Sequence, residues 1–221
     1  LGAGCITTGD GTPGTMSRRC GGAARAYVQT AVRMALAGSA DALVTLPVSK
    51  EAVRLSDPSF LGHTELIAAL CGDPEVTMML HSPKLTVTHV STHVSLRDAI
   101  HAVKKQRVLE VIRLTARALR KLGGEARIAV AGLNPPAGAG GAFGTEERSE
   151  IAPAVADARA EGIDAQGPLP PDTVFRQAMG RRYDAVVCMY HDQGHIPMKL
   201  LDFEGAVNVT IGLPIVRTSV D

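Results

Sequence analysis

The sequence predicts an α/β fold built on a largely parallel sheet. Segments with a helical period alternate with short apolar runs along the whole chain, and glycines stand where the helices should stop. Strand-like runs are interleaved with helix-length crossovers, the signature of parallel pairing.

Ser17 to Leu36 repeats Val28, Val32, Ala35 and Leu36 at three and four spacing and stops at Gly38. Ala42 to Thr45 is a short buried strand closed by Pro47, and His63 to Cys71 a short helix ended by Gly72. Val76 to Leu80 and Leu85 to Val90 are strands, and Ser95-Leu-Arg-Asp98 is a capping box that opens a helix to about Val103. Arg107 to Leu122 has the clearest amphipathic pattern, with Gly123-Gly124 as its stop. The strand Arg127 to Ala131 runs into a glycine-rich loop from Leu133 to Gly144. Thr145 caps the next helix, which runs to Glu161 with Pro153 near its middle. Asp172 to Met179 is a helix for which Asp172 is an acceptable N-cap, and Ala185 to Met189 a strand. Residues 1–221 read as one region with no assignable internal boundary, and both ends, Leu1 and Asp221, look cut.

Of the 221 residues, 45% are hydrophobic and 20% charged, ordinary for a globular protein, and a net charge of +1 gives no reason to expect nucleic acid or a membrane surface as partner. Cys5, Cys20, Cys71 and Cys188 show no C-x-x-C spacing, which favours reduced thiols in a cytoplasm. With no Trp and few Phe and Tyr, the core must be aliphatic.

The chemistry concentrates after residue 189. The apolar strand stops abruptly at His191, Asp192 and Gln193, and Lys199, Asn208 and Arg217 follow at intervals separated by short apolar stretches. A metal or proton ligand, a carboxylate and two fixed cations suit a small anionic substrate. His63 and His93 also fall at junctions between loops and elements, His63 with Thr64 at a helix start where an anion would be held. His89 and His93 share one face of a strand pattern: they are either a polar pair on a half-exposed strand, or His93 is a metal ligand. Gly9-Asp-Gly-Thr-Pro-Gly14 matches G-x-G-x-x-G, but no strong strand precedes it and Pro13 interrupts the turn, so it reads as a flexible loop. The glycine-rich loop at 138–144 either cradles an anion or simply turns tightly.

Taken together, Thr45-Leu-Pro-Val-Ser-Lys50, Gly62-His-Thr-Glu65, Thr92-His93, Leu133-Asn-Pro135, Asp172-Thr173, Tyr190-His-Asp-Gln-Gly194 with Lys199, and Asn208 through Asp221 resemble the 4-hydroxythreonine-4-phosphate dehydrogenase family of vitamin B6 (pyridoxine) biosynthesis. The resemblance implies an isocitrate/isopropylmalate dehydrogenase-like fold, two lobes around a central cleft, in a cytoplasmic homodimer that shares its active sites. It implies NAD- or NADP-dependent oxidation of a phosphorylated four-carbon hydroxy acid with decarboxylation, assisted by a divalent metal (Zn, Mg, Mn or Co). It places His63, Thr64, Asp172, Lys199, Asn208 and Arg217 on the substrate, His93 and His191 on the metal, and makes Lys199 and Asp192 the catalytic candidates.

The wording Gly194-His-Ile-Pro-Met-Lys199 also resembles a sister branch acting on threonate or erythronate phosphate, and dehydrogenases of aromatic cis-dihydrodiol carboxylates. The chain departs from the family where that family has Asn-Pro-His-Ala-Gly-Glu. Here the stretch is Asn134-Pro-Pro-Ala-Gly-Ala139, so Pro136 removes the third metal-ligating histidine. Two ligands should hold a metal more weakly than three, and a degenerate member that binds without redox turnover is the alternative. His195 is a lesser candidate for the vacant place.

Overall fold

The structure is a computed structural model that describes Ile6, Asp10, Thr12 and Gly14 to Ser219. Gly9, Gly11 and Pro13 of the Gly9 to Gly14 loop, Cys5 and the last two residues lie outside the described residues. In chain order the elements are α1 (Arg18–Leu36), β1 (Ala42–Thr45), α2 (Lys50–Arg54), α3 (His63–Leu70), β2 (Thr77–His81), β3 (Thr86–His89), α4 (Leu96–Ala102) and α5 (Lys105–Lys121). They continue with β4 (Ile128–Ala131), α6 (Ala152–Ala160), β5 (Ala165–Leu169), α7 (Val174–Met179), β6 (Ala185–Cys188), α8 (His191–Asp202), β7 (Val207–Ile211) and β8 (Val216–Ser219).

The chain forms two compact units, one of residues up to Glu75 together with Gly212 onward, the other Val76 to Ile211. In the first, Ser17 caps α1 by accepting from the Cys20 N–H. Gly21 lets α1 lie against α2, since a Cβ there would overlap the Ala52 carbonyl. β1 pairs parallel with β8, setting Leu43 opposite Arg217 and Thr45 opposite Ser219.

The second unit holds a sheet in the order β7-β2-β3-β6-β4-β5. From β3 to β5 it is parallel, as expected, but β2 runs antiparallel to both β3 and β7. Only four residues separate β2 from β3, too few for a parallel crossover. The parallel strands are covered on both faces. Ile128, Val130, Ala185 and Val187 pack toward α5 and α6, while Ala129, Ala131, Val186 and Cys188 pack toward α7 and α8.

Three expectations are corrected. A π-turn at Glu147–Ile151 precedes α6, so Pro153 falls in the first turn of α6, where its missing N–H costs nothing. Asp172 is exposed and does not cap α7; Thr173 occupies the cap position without a side-chain bond. His89 is fully buried, so the half-exposed polar pair is wrong for it. Cys20, Cys71 and Cys188 are free thiols, and no helix among the described residues is long and apolar enough to cross a membrane.

Candidate active site

In the first unit, the Thr45–Lys50 motif is the turn between β1 and α2. Ser49 caps α2 by accepting from the Ala52 N–H, and Lys50 is the first helical residue. Arg217, in β8, is 4% exposed and donates from Nη2 to Thr45 Oγ1 at 2.8 Å. His63 opens α3 beside this charge, with Thr64 next to it, both half-buried. Burial first, then the positive charges of Arg217 and Lys50, hold the His63 imidazole below its ordinary pKa, so it is neutral at neutral pH. Burial also lowers the Arg217 pKa, offset by Glu65, but a guanidinium stays charged throughout the working range. The cluster is a fixed cation with a neutral donor-acceptor ring beside it.

In the second unit, four histidines gather where β3 and β6 end and α8 begins. His191 is the first residue of α8, and its Nδ1 donates to Asp192 Oδ1 at 2.7 Å, since a carboxylate can only accept. That fixes the proton on Nδ1 and leaves the Nε2 lone pair of the neutral ring for a ligand. His93 lies exposed between β3 and the Ser95 cap of α4, its ring centre 5.8 Å from that of His191. Both line a cavity of about 330 Å³ with Thr92, Val94, Tyr190 and Asp192. Behind them His195 stacks on His191, ring centres 3.6 Å apart and planes 12° from parallel. His195 Nδ1 lies 3.1 Å from His89 Nε2. Burial above all, then the charge of His195, pushes the His89 pKa down to about 3.

A divalent ion implied by the resemblance can be tested against these donors. Two imidazoles on one tetrahedral ion, with metal–nitrogen bonds of about 2.1 Å, stand roughly 5–6 Å apart centre to centre. His93 and His191 meet that spacing. Among the described residues no group of three His, Cys, Asp or Glu is arranged to hold a metal. The residues therefore fit a two-imidazole anchorage and not a three-ligand one. His195 does not fill the gap, because its ring lies flat on His191 instead of converging with it.

The glycine-rich loop does turn tightly. Its 3₁₀ turn, Ala137–Gly141, contains left-handed Gly138, Ala139 and Gly140. Glu147, 3% exposed, accepts from the Leu133 and Asn134 N–H groups at 2.8 and 2.6 Å and from Asn134 Nδ2 at 3.1 Å. Glu147 thus ties the start of the connection, at Leu133 and Asn134, to the turn that follows it. Gln193, also buried, donates to the Gly132 carbonyl and accepts from the Met189 N–H, joining the loop after β4 to the start of α8. Along the chain Glu147 carries no signal, and Gln193 only its place in the His-Asp-Gln run. Of the remaining expected residues, Lys199 lies in α8 with Nζ 5.3 Å from the centre of the Phe203 ring. Asn208 lies in β7, its Oδ1 buried without a hydrogen-bond partner among the described residues. Asp172 is exposed in the turn before α7.

A family model described as "Pyridoxal phosphate biosynthetic protein PdxA" matches residues 3–221. The chain belongs to the PdxA family. It is 56% identical over 192 residues to a 4-hydroxythreonine-4-phosphate dehydrogenase of Geobacter metallireducens, covering 86% of this chain and 57% of that protein. To a D-threonate 4-phosphate dehydrogenase of Salmonella typhimurium it is 48% identical over 209 residues, 94% of this chain and 64% of that one. Among solved structures, the 4-hydroxythreonine-4-phosphate dehydrogenase of Klebsiella pneumoniae superposes with a TM-score of 0.90 at 48% identity, covering 95% of this chain and 64% of that chain. The chain thus spans 57–64% of the length of these PdxA-family proteins. Its mixed α/β fold is the fold of the family's solved structures.

Proposed function

We propose that this chain is part of an NAD- or NADP-dependent dehydrogenase that oxidises 4-phosphohydroxy-L-threonine or a related phosphorylated four-carbon hydroxy acid, with decarboxylation. The observation that carries the reading is the His93–His191 pair, spaced for one ion at the wall of a cavity, with Asp192 fixing the His191 tautomer. The names of the relatives, which act on phosphorylated hydroxy acids, support it. The isocitrate/isopropylmalate dehydrogenase-like likeness, a homodimer with shared sites, a single dehydrogenase region and a cytoplasmic location belong to the same proposal.

Arg217, buried and permanently charged, would bind the phosphate or carboxylate of the substrate, and Lys199 would share that load. His63, held neutral, and Thr64 would hydrogen-bond its polar groups. The buried Asn208 Oδ1 is an acceptor that a bound substrate could satisfy, and Asp172 would complete the set. His93 and His191 would hold the divalent ion, Zn, Mg, Mn or Co, through imidazole nitrogens. When bound, that ion would supply Lewis-acid stabilisation of negative charge on substrate oxygen, and a nicotinamide would supply the hydride-accepting chemistry. Asp192 keeps the proton on His191 Nδ1, and Lys199 Nζ would hold and return a proton at the substrate. Retention of Lys199, Asn208 and Arg217 favours a phosphorylated acid over a cis-dihydrodiol carboxylate.

The direct test follows NADH or NADPH formation with 4-phosphohydroxythreonine, threonate 4-phosphate and erythronate 4-phosphate, with and without Zn²⁺, Mg²⁺ or Mn²⁺. Metal-dependent turnover of at least one is expected; no turnover of any, with either nucleotide, overturns the reading. Pro136 favours one second reading, a degenerate member that binds without redox chemistry. Pro136→His should raise divalent-metal affinity about tenfold or more, since it restores a ligand. A parallel steep rise in turnover marks the native protein as crippled, whereas stoichiometric metal in the purified native protein removes the basis of the second reading.

A further inference from the structure

The dehydrogenase reading leaves two of the four clustered histidines, His89 and His195, without a role. Both are buried, at 0% and 8% exposure, and they touch each other rather than the cavity. Their protons can be assigned from chemistry alone. His89 Nδ1 lies 3.4 Å from the Met78 carbonyl, which can only accept, so that nitrogen carries a proton and Nε2 of the neutral ring is a lone pair. His195 Nδ1 lies 3.1 Å from the His191 carbonyl and 3.1 Å from that lone pair. Two acceptors converge on His195 Nδ1, so it carries the proton and donates to both. The ring of His195 is thereby anchored from below by the interior of the sheet, one turn of α8 beyond His191.

The backbone has been shaped for this anchorage. Gly194 sits between the two rings in sequence, and a Cβ there would stand 2.5 Å from His89 Nε2 and 3.0 Å from Cys188 Sγ. Only glycine lets α8 settle close enough to β3 and β6 for the two imidazoles to meet. The anchored ring then presents its flat face to His191, with planes 12° from parallel. His191 is consequently fixed at two places, its Nδ1 by Asp192 and its plane by His195.

We propose that His195 is a positioning residue for His191: bonded through Nδ1–H to the buried His89, it lays its ring against His191 and fixes the plane in which His191 Nε2 faces the cavity. This rests on the reading of His191 as a metal ligand only for its consequence in catalysis; the positioning itself is a property of the metal-free protein.

Two variants separate the ring from its anchor. His195→Asn keeps a polar group near the place of Nδ1 and removes the ring face; His195→Phe keeps the face and removes the donor. Thermal unfolding and Zn²⁺ titration are measured for each, with ¹⁵N ring spectra of the metal-free protein. The wild type should show His195 and His191 each as a single Nδ1–H tautomer. His195→Asn should weaken Zn²⁺ binding about tenfold, in the range of lost outer-shell partners, with little loss of Tm, and should broaden or average the His191 ring signals. His195→Phe should lower Tm, because His89 Nε2 loses its donor, while retaining most of the Zn²⁺ affinity. Equal losses of affinity in both variants, each in step with Tm, would reduce His195 to a packing residue. An unchanged His191 spectrum in His195→Asn overturns the proposal even if the wild type binds no Zn²⁺, an outcome that would sink the metal reading alone.

Discussion

Strands β4 and β6 lie side by side in the sheet and are tied at both ends, by opposite means. Where they enter, Arg127 and Asp184 meet in a two-pronged ion pair, with Nε–Oδ2 at 3.0 Å and Nη2–Oδ1 at 2.9 Å, and both side chains partly reach solvent. Where they leave, the tie is the buried amide of Gln193, between the Met189 N–H and the Gly132 carbonyl. An ion pair can hold the entry because water shares the cost of its charges; a buried exit needs a neutral group that both donates and accepts. Beyond the exit the two connections diverge again. The one after β4 passes through Pro136 into a 3₁₀ turn and is held at its start by Glu147, while the one after β6 opens directly into His191. The shared scaffold has one connection closed by its own contacts and one that opens on a cavity.

The largest expected effect breaks the architectural side. Glu147→Leu leaves two part-buried backbone N–H groups without their acceptor and should cost about 3 kcal/mol, at roughly 1–3 for each unsatisfied donor. The urea midpoint reads the loss, and limited proteolysis between residues 136 and 143 should become rapid. A near-native midpoint would mean that water replaces the carboxylate and that the loop is not internally held.

The tie between the two connections comes next. Gln193→Leu preserves volume but strands one donor and one acceptor, for about 2–3 kcal/mol. Gln193→Glu retains the bond to the Met189 N–H and sets a carboxylate oxygen against the Gly132 carbonyl. If the tie matters as a two-way amide, Glu should be no better than Leu in urea. A Glu variant as stable as the wild type would show that only the Met189 contact counts.

Much of this arrangement was legible along the chain, and the parts that were not share a cause. The long amphipathic helix α5 and the Ser95 cap of α4 announce themselves because their signals are local: period and capping chemistry. Helix α8 did not, because it contains Gly194 and Pro197, residues of poor helix propensity, and is held by its fit against β3 and β6. β5 was hidden similarly by Gly167 and Pro168 in a strand with a mixed burial pattern at one edge of the sheet. His93 and His191 stood out as histidines at element ends, whereas His89, Glu147 and Gln193 are ordinary residues until their partners, some far along the chain, are in place. Buried polar groups are defined by what they meet, and a linear pattern does not contain that.

The smallest effect tests the entry end. The side-chain bond from Arg127, reinforced by the Arg127 backbone N–H and opposed by partial burial, holds the Asp184 carboxyl below its ordinary pKa. A group depressed on folding contributes stability that is fully present above its unfolded value, near 3.9, and is lost as pH falls through its lower folded value. Asp184→Asn should therefore cost about 1 kcal/mol at pH 7, discounted for solvent, and the gap to the wild type should narrow only below about pH 4. Urea melts at pH 7, 5 and 3 resolve this. Because the exit tie contains no titrating group, the Gln193→Leu deficit should stay constant between pH 7 and 5. If both deficits instead moved together with pH, the two ends of the strand pair would not be independent, and the division between a charged entry and a neutral exit would fail.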